Sequence, residues 1–171
     1  RNNPITVGNI RRGWVLASRI GRVRLDGSAY REAISLDVPG EAVADPHGLA
    51  ITPNHERLVV SAGGTHELLV YRLADLPFVG VGGPGDLVDR RLTQDRDLFF
   101  RIETGGRPMG IEIAADNRTV FVANFLNDSI QIVDLEERTL VREIALGGPA
   151  EKSQERLGME IFYDGRRSLD Q

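Results

Sequence analysis

The sequence predicts an all-β fold, namely a β-propeller fragment of about two and a half four-stranded blades followed by a short helical C-terminal tail. Three observations predict this fold: an internal repeat, short apolar runs separated by polar turns, and a change of character after Pro149. A propeller arranges four-stranded sheets around an axis, and each blade usually takes roughly 40–45 residues. The two full copies and one partial copy of the repeat give the size of the fragment.

The repeat relates a segment that begins at Pro46 to a segment that begins at Pro108. The two align without a gap at an offset of 62 residues, which places Gly48 on Gly110. Few residues are identical, but the apolar positions of one copy are apolar in the other. Two copies of one packing unit are expected to share such a pattern.

A weaker third copy precedes these two. Val23-Arg24-Leu25 matches Val133-Asp134-Leu135, and the apolar residues that follow match as well. The chain therefore begins with the second half of a unit. We place the units at about 1–40, 45–105 and 107–148, all within one partial propeller domain at 1–148.

The offset of 62 exceeds a typical blade by about 20 residues. The excess lies between Ala74 and Phe99, in a stretch that is rich in Gly and Pro and then charged. We interpret it as a long loop between the third and fourth strands of one blade, which places the fourth strand at 98–102. Its Gly-rich run at 79–85 lacks the Lys and Ser or Thr of a phosphate-binding loop.

The tail at 149–171 begins as a polar linker. Ser153 is a suitable N-cap for a helix that continues to about Phe162. Leu157, Ile161 and Phe162 would lie on one side of that helix.

The composition excludes several functions. The net charge of −4 argues against nucleic acid as a partner, because phosphate binding requires a basic surface. No apolar stretch is long enough to span a membrane. The sequence contains no cysteine, so disulfides, zinc–thiolate sites and covalently attached haem are excluded within these residues.

The second full copy resembles the YVTN-type propeller repeat. Val120-Phe121-Val122-Ala123-Asn124 matches its central strand, and Ile132-Val133-Asp134 matches its next strand. The copy at Pro46 diverges, because Ser61-Ala62-Gly63 replaces the Ala-Asn of the repeat and Arg72 replaces the Asp. The resemblance extends over residues 14–148 and implies a fold, not an activity.

The tail is similar to the opening motif of bacterial di-haem cytochrome c peroxidases and their MauG-like relatives. The sequence differs from that motif at Arg167, where the family has Leu. The matching residues are Gly158, Ile161, Phe162, Tyr163, Asp164, Arg166 and Ser168. The resemblance implies that a haem domain begins here, with haem c bound in the longer parent protein and no cofactor bound by this chain. It also implies a periplasmic or cell-envelope location in a bacterium.

Two histidines are candidate metal ligands. His47 lies at the start of a predicted innermost strand, where propellers line a central channel, and its repeat equivalent is Met109. His66 lies in a turn that we expect on the same face. The favoured interpretation is a channel-mouth side chain and a hydrogen-bonded loop residue, with no catalytic, cofactor or metal site.

The sequence therefore favours a non-catalytic scaffold or interaction module of a larger c-type cytochrome. Its partners would be the downstream haem domain, the remaining blades and, as a further candidate, another protein. One alternative is a stand-alone binding propeller of the cell envelope. The other is a propeller enzyme, such as a lyase, lactonase or dehydrogenase, whose channel would need converging His, Glu and Asp residues.

Overall fold

The computed structural model describes residues 5–11, 17–28, 31–38, 41–80, 89–149 and 151–167. Within these ranges the chain is mostly β-strand, which confirms the predicted all-β class. The strands in chain order are β1 (Arg19–Val23), β2 (Arg31–Ser35), β3 (Pro46–Ile51), β4 (Arg57–Ala62), β5 (Glu67–Arg72), β6 (Val79–Gly80), β7 (Phe99–Glu103), β8 (Pro108–Ile113), β9 (Thr119–Asn124), β10 (Ser129–Asp134) and β11 (Thr139–Ala145). The α-helices are α1 (Val7–Arg11), α2 (Arg91–Gln94) and α3 (Gln154–Phe162), and 3-10 turns occur at Leu73–Asp75 and Gly165–Arg167.

The strands form three antiparallel sheets that follow the repeat units. The first sheet has the order β1-β2-β6, the second β3-β4-β5-β7 and the third β8-β9-β10-β11. The second and third sheets therefore share one topology, in which each strand pairs with the next strand of its unit. This succession of antiparallel sheets is a propeller-like arrangement.

The sheets pack face to face through two apolar clusters. The cluster between the first and second sheets includes Ile34 and Leu36 on one side and Val60 and Tyr71 on the other. The cluster between the second and third sheets joins one face of each. Its buried members are Val59, Leu68, Val70, Phe100, Ile102, Ile113, Val120, Val122, Val133 and Leu135. The second sheet is thus buried on both faces.

The innermost strands approach each other closely at Gly48. A Cβ atom there would lie 2.6 Å from the carbonyl oxygen of Met109 on the neighbouring sheet. Ser61 Oγ donates to that carbonyl at 2.5 Å and accepts from the Gly48 amide at 2.7 Å. A side chain at this position would push the two sheets apart.

The first sheet begins with two strands that share the register of the last two strands of the third sheet. β1 pairs with β2 so that Arg19 lies opposite Ser35. β10 pairs with β11 so that Ser129 lies opposite Ala145. The two pairs are 110 residues apart, which is the same offset that places Val23 on Val133. β1 and β2 are therefore the third and fourth strands of a unit.

The predicted long loop does connect the third and fourth strands of the second unit, but it is not without structure. β7 begins one residue later than the sequence predicts. The loop contains β6, which pairs with β2 at Glu32–Gly80 and Ala33–Val79, and it also contains α2. The prediction failed here because a strand of two residues carries no periodic signal. Residues 81–88, which include most of the Gly-rich run, lie outside the described residues.

The predicted tail helix is confirmed as α3. Ser153 is its N-cap, and its Oγ accepts a hydrogen bond from the Arg156 amide at 3.2 Å. In the described part of the chain, no helix is both long and apolar enough to cross a membrane.

Candidate functional site

The connections between strands form a surface that we call the loop face, consisting of residues 44–45, 63–66, 104–107 and 125–128. Backbone hydrogen bonds join these segments. The Gly63 amide donates to the Asp45 carbonyl, the Thr104 amide to the His66 carbonyl, and the Phe125 amide to the Arg107 carbonyl. The loop face therefore belongs to the second and third sheets together.

Asn124 fixes one part of the loop face. Its Oδ1 accepts from the Arg107 amide at 3.0 Å, and its Nδ2 donates to the Gly105 carbonyl at 2.6 Å. Gly106 has a φ of 55°, and a Cβ atom there would overlap the Asn124 side chain. The segment 105–107 can reach Asn124 only because glycine stands at this position.

The tail folds back onto the loop face after α3. The Gly165 amide donates to the Gly64 carbonyl at 2.8 Å. The guanidinium of Arg107 lies 3.6 Å from the centroid of the Tyr163 ring, a distance typical of a cation–π contact. Arg107 is itself held by Asp45, at 2.5 Å. Backbone and side-chain contacts together place residues 163–165 against the sheets.

His66 and Asp164 form the centre of this contact. His66 Nε2 lies 3.3 Å from Asp164 Oδ1, and the His66 residue is only 3% exposed. Its Nδ1 atom is buried without a hydrogen-bond partner. Its backbone has a φ of 61°, and its carbonyl accepts from the amides of Thr104 and Gly105. The imidazole is therefore held in place by backbone geometry and covered by the tail.

The electrostatics keep the imidazole neutral and the carboxylate charged. Burial lowers the pKa of His66 most, and the nearby Arg166 lowers it further, while Asp164 and Glu103 oppose that change. The pKa of Asp164 is lowered chiefly by its hydrogen bond from Arg166, whose Nε donates at 2.9 Å. At neutral pH a neutral imidazole therefore lies beside an ionised carboxylate.

The start of α3 is attached to the loop face separately. Arg156 donates to Asp128 Oδ1 at 2.5 Å, and its guanidinium lies 5.0 Å from the centroid of the Phe125 ring. Arg156 and Tyr163 belong to opposite ends of α3. The helix is thus fixed at two points, which sets its direction relative to the sheets.

The two candidate histidines have different environments. His47 is exposed on β3, whereas His66 is buried beneath the tail. Among the described residues, no three His, Cys, Asp or Glu side chains gather so that they could hold a metal ion. The arrangement around His66 can hold a peptide segment in place, which the sequence alone did not indicate.

The residues of the tail motif divide into two groups. Tyr163, Asp164 and Arg166 contact the loop face or one another, and Arg166 also lies 3.6 Å from Glu103. Phe162 is 81% exposed, and a Cβ atom at Gly158 would meet nothing within 4 Å. Ser168 lies outside the described residues.

The residues of this chain do not fit a haem c group. Covalent attachment requires cysteine thiols, and the sequence has none. His66 Nε2 faces Asp164.

No protein-family model matches the chain, and no curated protein matches it in sequence. Among solved structures, the chain is similar to hydrazine synthase from Kuenenia stuttgartiensis, with 17% sequence identity and a TM-score of 0.45. The match covers 73% of this chain and 27% of that chain. The chain therefore spans about a quarter of the length of that protein.

Proposed function

We propose that this chain is a non-catalytic propeller module, built from YVTN-type repeats, that holds the haem domain of a larger redox protein of the di-haem cytochrome c peroxidase kind. The proposal rests on the observation that the tail has two different sides. One side of the tail motif contacts the loop face, and the other side is apolar and exposed.

The inner side of the tail supports a fixed attachment. Tyr163 contacts Arg107 of segment 104–107, and the next two residues of the tail contact segment 63–66. Arg156 adds a fourth contact one helix length away. A flexible linker would not need contacts at both ends of a helix. The attachment gives whatever follows the tail a defined direction.

The outer side of the tail supports a covering domain. Three apolar side chains of α3 are exposed, namely Leu157 and, one turn later, Ile161 and Phe162. Gly158 beside them lowers helix stability by about 1 kcal/mol relative to alanine, and a Cβ atom there would meet none of the described residues within 4 Å. An exposed apolar patch is typical of an interaction surface, and a glycine permits close approach. The haem domain implied by the motif would cover this patch.

The innermost strands support a role without catalysis. An active site in the channel would need converging His, Glu and Asp side chains. The equivalent positions hold His47 on β3 and Met109 on β8. Because c-type haem is attached outside the cytoplasm, the proposal also places the parent in the periplasm or the cell envelope.

The test is to express the longer reading frame together with a cytochrome c maturation system and to record its visible spectrum. The proposal expects a C-x-x-C-H motif within a few dozen residues after Gln171 and a covalent haem spectrum. Replacing both cysteines of that motif by alanine should abolish the attachment of haem at that site. A parent that folds but remains colourless would overturn the haem proposal and favour a binding propeller of the envelope.

A further inference from the structure

The first sheet carries β6 as an additional, third strand at its outer edge. β2 is the fourth strand of its unit, and β6 pairs with its outer side at Glu32 and Ala33. β6 comes from the long excursion between β5 and β7 of the following unit. One unit thus donates a strand to the outer edge of the unit before it.

The third unit has no such donor for the second sheet. Its third and fourth strands, β10 and β11, are connected by a tight turn at 135–138. Among the described strands, β7 therefore pairs only with β5. The outer edge of β7 is the equivalent of the edge that β6 covers on β2.

A groove of about 720 Å³ runs along this edge. The pairing registers make Phe100 and Arg101 the equivalents of Glu32 and Ala33, because each pairs in the same way with the third strand of its unit. Both residues line the groove. Its other lining residues include Leu92 and Thr93 of α2, Arg96 and, from the tight turn, Arg138.

The backbone of β7 faces the groove at Arg101, whereas the Phe99 amide already donates to the Asp95 carbonyl at 3.1 Å. The Arg72 amide donates to the Leu98 carbonyl, and the Thr104 amide donates to the His66 carbonyl. Hydrogen-bonded pairs alternate along an antiparallel ladder, so Phe100 and Ile102 bond towards β5 and Arg101 faces outwards. Ala33, its equivalent on β2, faces β6. An outward-facing edge residue can pair with an added strand.

The charge of the groove favours an acidic occupant. Arg101 is neutralised by Glu67 at 3.0 Å and Glu41 at 3.6 Å. Arg96 has no ion-pair partner among the described residues, and Arg138 has only the exposed Asp97, at 3.3 Å. The end of the groove near α2 and the tight turn is therefore positively charged.

From this geometry we propose that the groove along β7 binds an extended acidic peptide segment of a partner protein as a fifth strand of the second sheet. The backbone of the peptide pairs with β7 at Arg101. Its acidic side chain faces Arg96 and Arg138, and its apolar side chains contact Leu92 and Phe99.

The probe is a fluorescein-labelled heptapeptide with the sequence of residues 74–80, which includes β6 and the acidic Asp75. Fluorescence anisotropy should show saturable binding to the intact chain below about 1 mM. R96E and R138E should each weaken binding at least about fivefold. The control R142E, an exposed arginine of β11 that does not line the groove, should leave binding within about twofold.

A second probe tests the backbone pairing. The same peptide methylated at the amide nitrogen of Val79 should lose binding, because Val79 is the residue that lies opposite Ala33 and its amide faces the paired strand. Circular dichroism should show that each variant is folded. Absence of saturable binding, equal effects of R96E and R142E, or full binding by the methylated peptide would overturn the proposal.

Discussion

The imidazole of His66 lies 3.3 Å from the carboxylate of Asp164, although one belongs to the turn between β4 and β5 and the other follows α3. This contact connects the second sheet to the tail. It lies at the centre of the loop face, with Arg107 and Tyr163 on one side and Arg166 and Glu103 on the other. The tail is therefore attached to the sheets through polar groups, while its apolar residues remain outside.

Replacing Asp164 by Ala should release the tail and leave the sheets folded. The change leaves the buried imidazole without its acceptor, at an expected cost of about 1–2 kcal/mol. Hydrogen exchange should show faster exchange of the Gly165 amide by about tenfold or more and unchanged exchange in β9 and β10. The control is E151Q, which alters an exposed carboxylate at the start of the tail. Equal protection of the Gly165 amide in D164A and in the native chain would contradict the account.

The attachment of the tail should weaken in mild acid. Burial lowers the pKa of His66 from its ordinary value of 6.5, so the undocked state binds the proton more readily. The stabilisation is fully present above pH 6.5 and is lost as the pH falls through the lowered pKa. Urea unfolding at several pH values between 7.5 and 5 should show this loss.

The variant H66N removes the titrating imidazole and so isolates its contribution to the pH dependence of stability. Asparagine is suitable because it tolerates the positive φ at this position. Glu67 and Asp37 change the stability in the opposite direction. Burial raises the pKa of each carboxyl, so their protonation in acid favours the folded state. The informative quantity is therefore the difference in pH dependence between the native chain and the variant. H66N should lose less stability than the native chain in this pH range, and H47Q should behave as the native chain. An unchanged slope in H66N would rule out His66 as the origin.

Gly48 and Gly110 offer a matched pair in the repeat. A Cβ atom at Gly48 would lie 2.6 Å from the Met109 carbonyl, whereas one at Gly110 would meet only the Ala123 side chain at 3.9 Å. G48A should reduce the free energy of unfolding by about 1–3 kcal/mol. G110A should change it by less than about 0.5 kcal/mol. Equal effects in urea unfolding would show that the two inner strands are not packed as described.

The third sheet should mediate self-association of the isolated chain. Phe121 is 39% exposed, whereas its repeat equivalent Val59 is fully buried by the next sheet. Ile132 lies opposite Phe121 on the same open face. The double variant F121S/I132S should shift sedimentation towards monomer, while V141S on β11 should not. A native chain that is strictly monomeric at high concentration would contradict this prediction.

The strand content and the order of the sheets could be predicted from the sequence because each strand combines a short apolar run with a polar turn. β1–β2 and β10–β11 share one pairing register, which supports the partial copy of the repeat at the start of the chain. β6 could not be predicted, since its two residues pair with a strand more than forty positions away. The roles of His66 and Asp164 were equally inaccessible, because nothing local to either residue specifies the other. The motif identified Asp164 but not its partner on the sheet.

We propose that the propeller fixes the direction of a haem domain through the tail. The direct measurement is an electron–electron distance in the full-length parent, between haem iron and a nitroxide attached to an E136C variant on the turn after β10. We expect a narrow distance distribution in the native parent and a broad one in D164A. A distribution that is equally broad in both proteins, or a parent without haem iron, would contradict it.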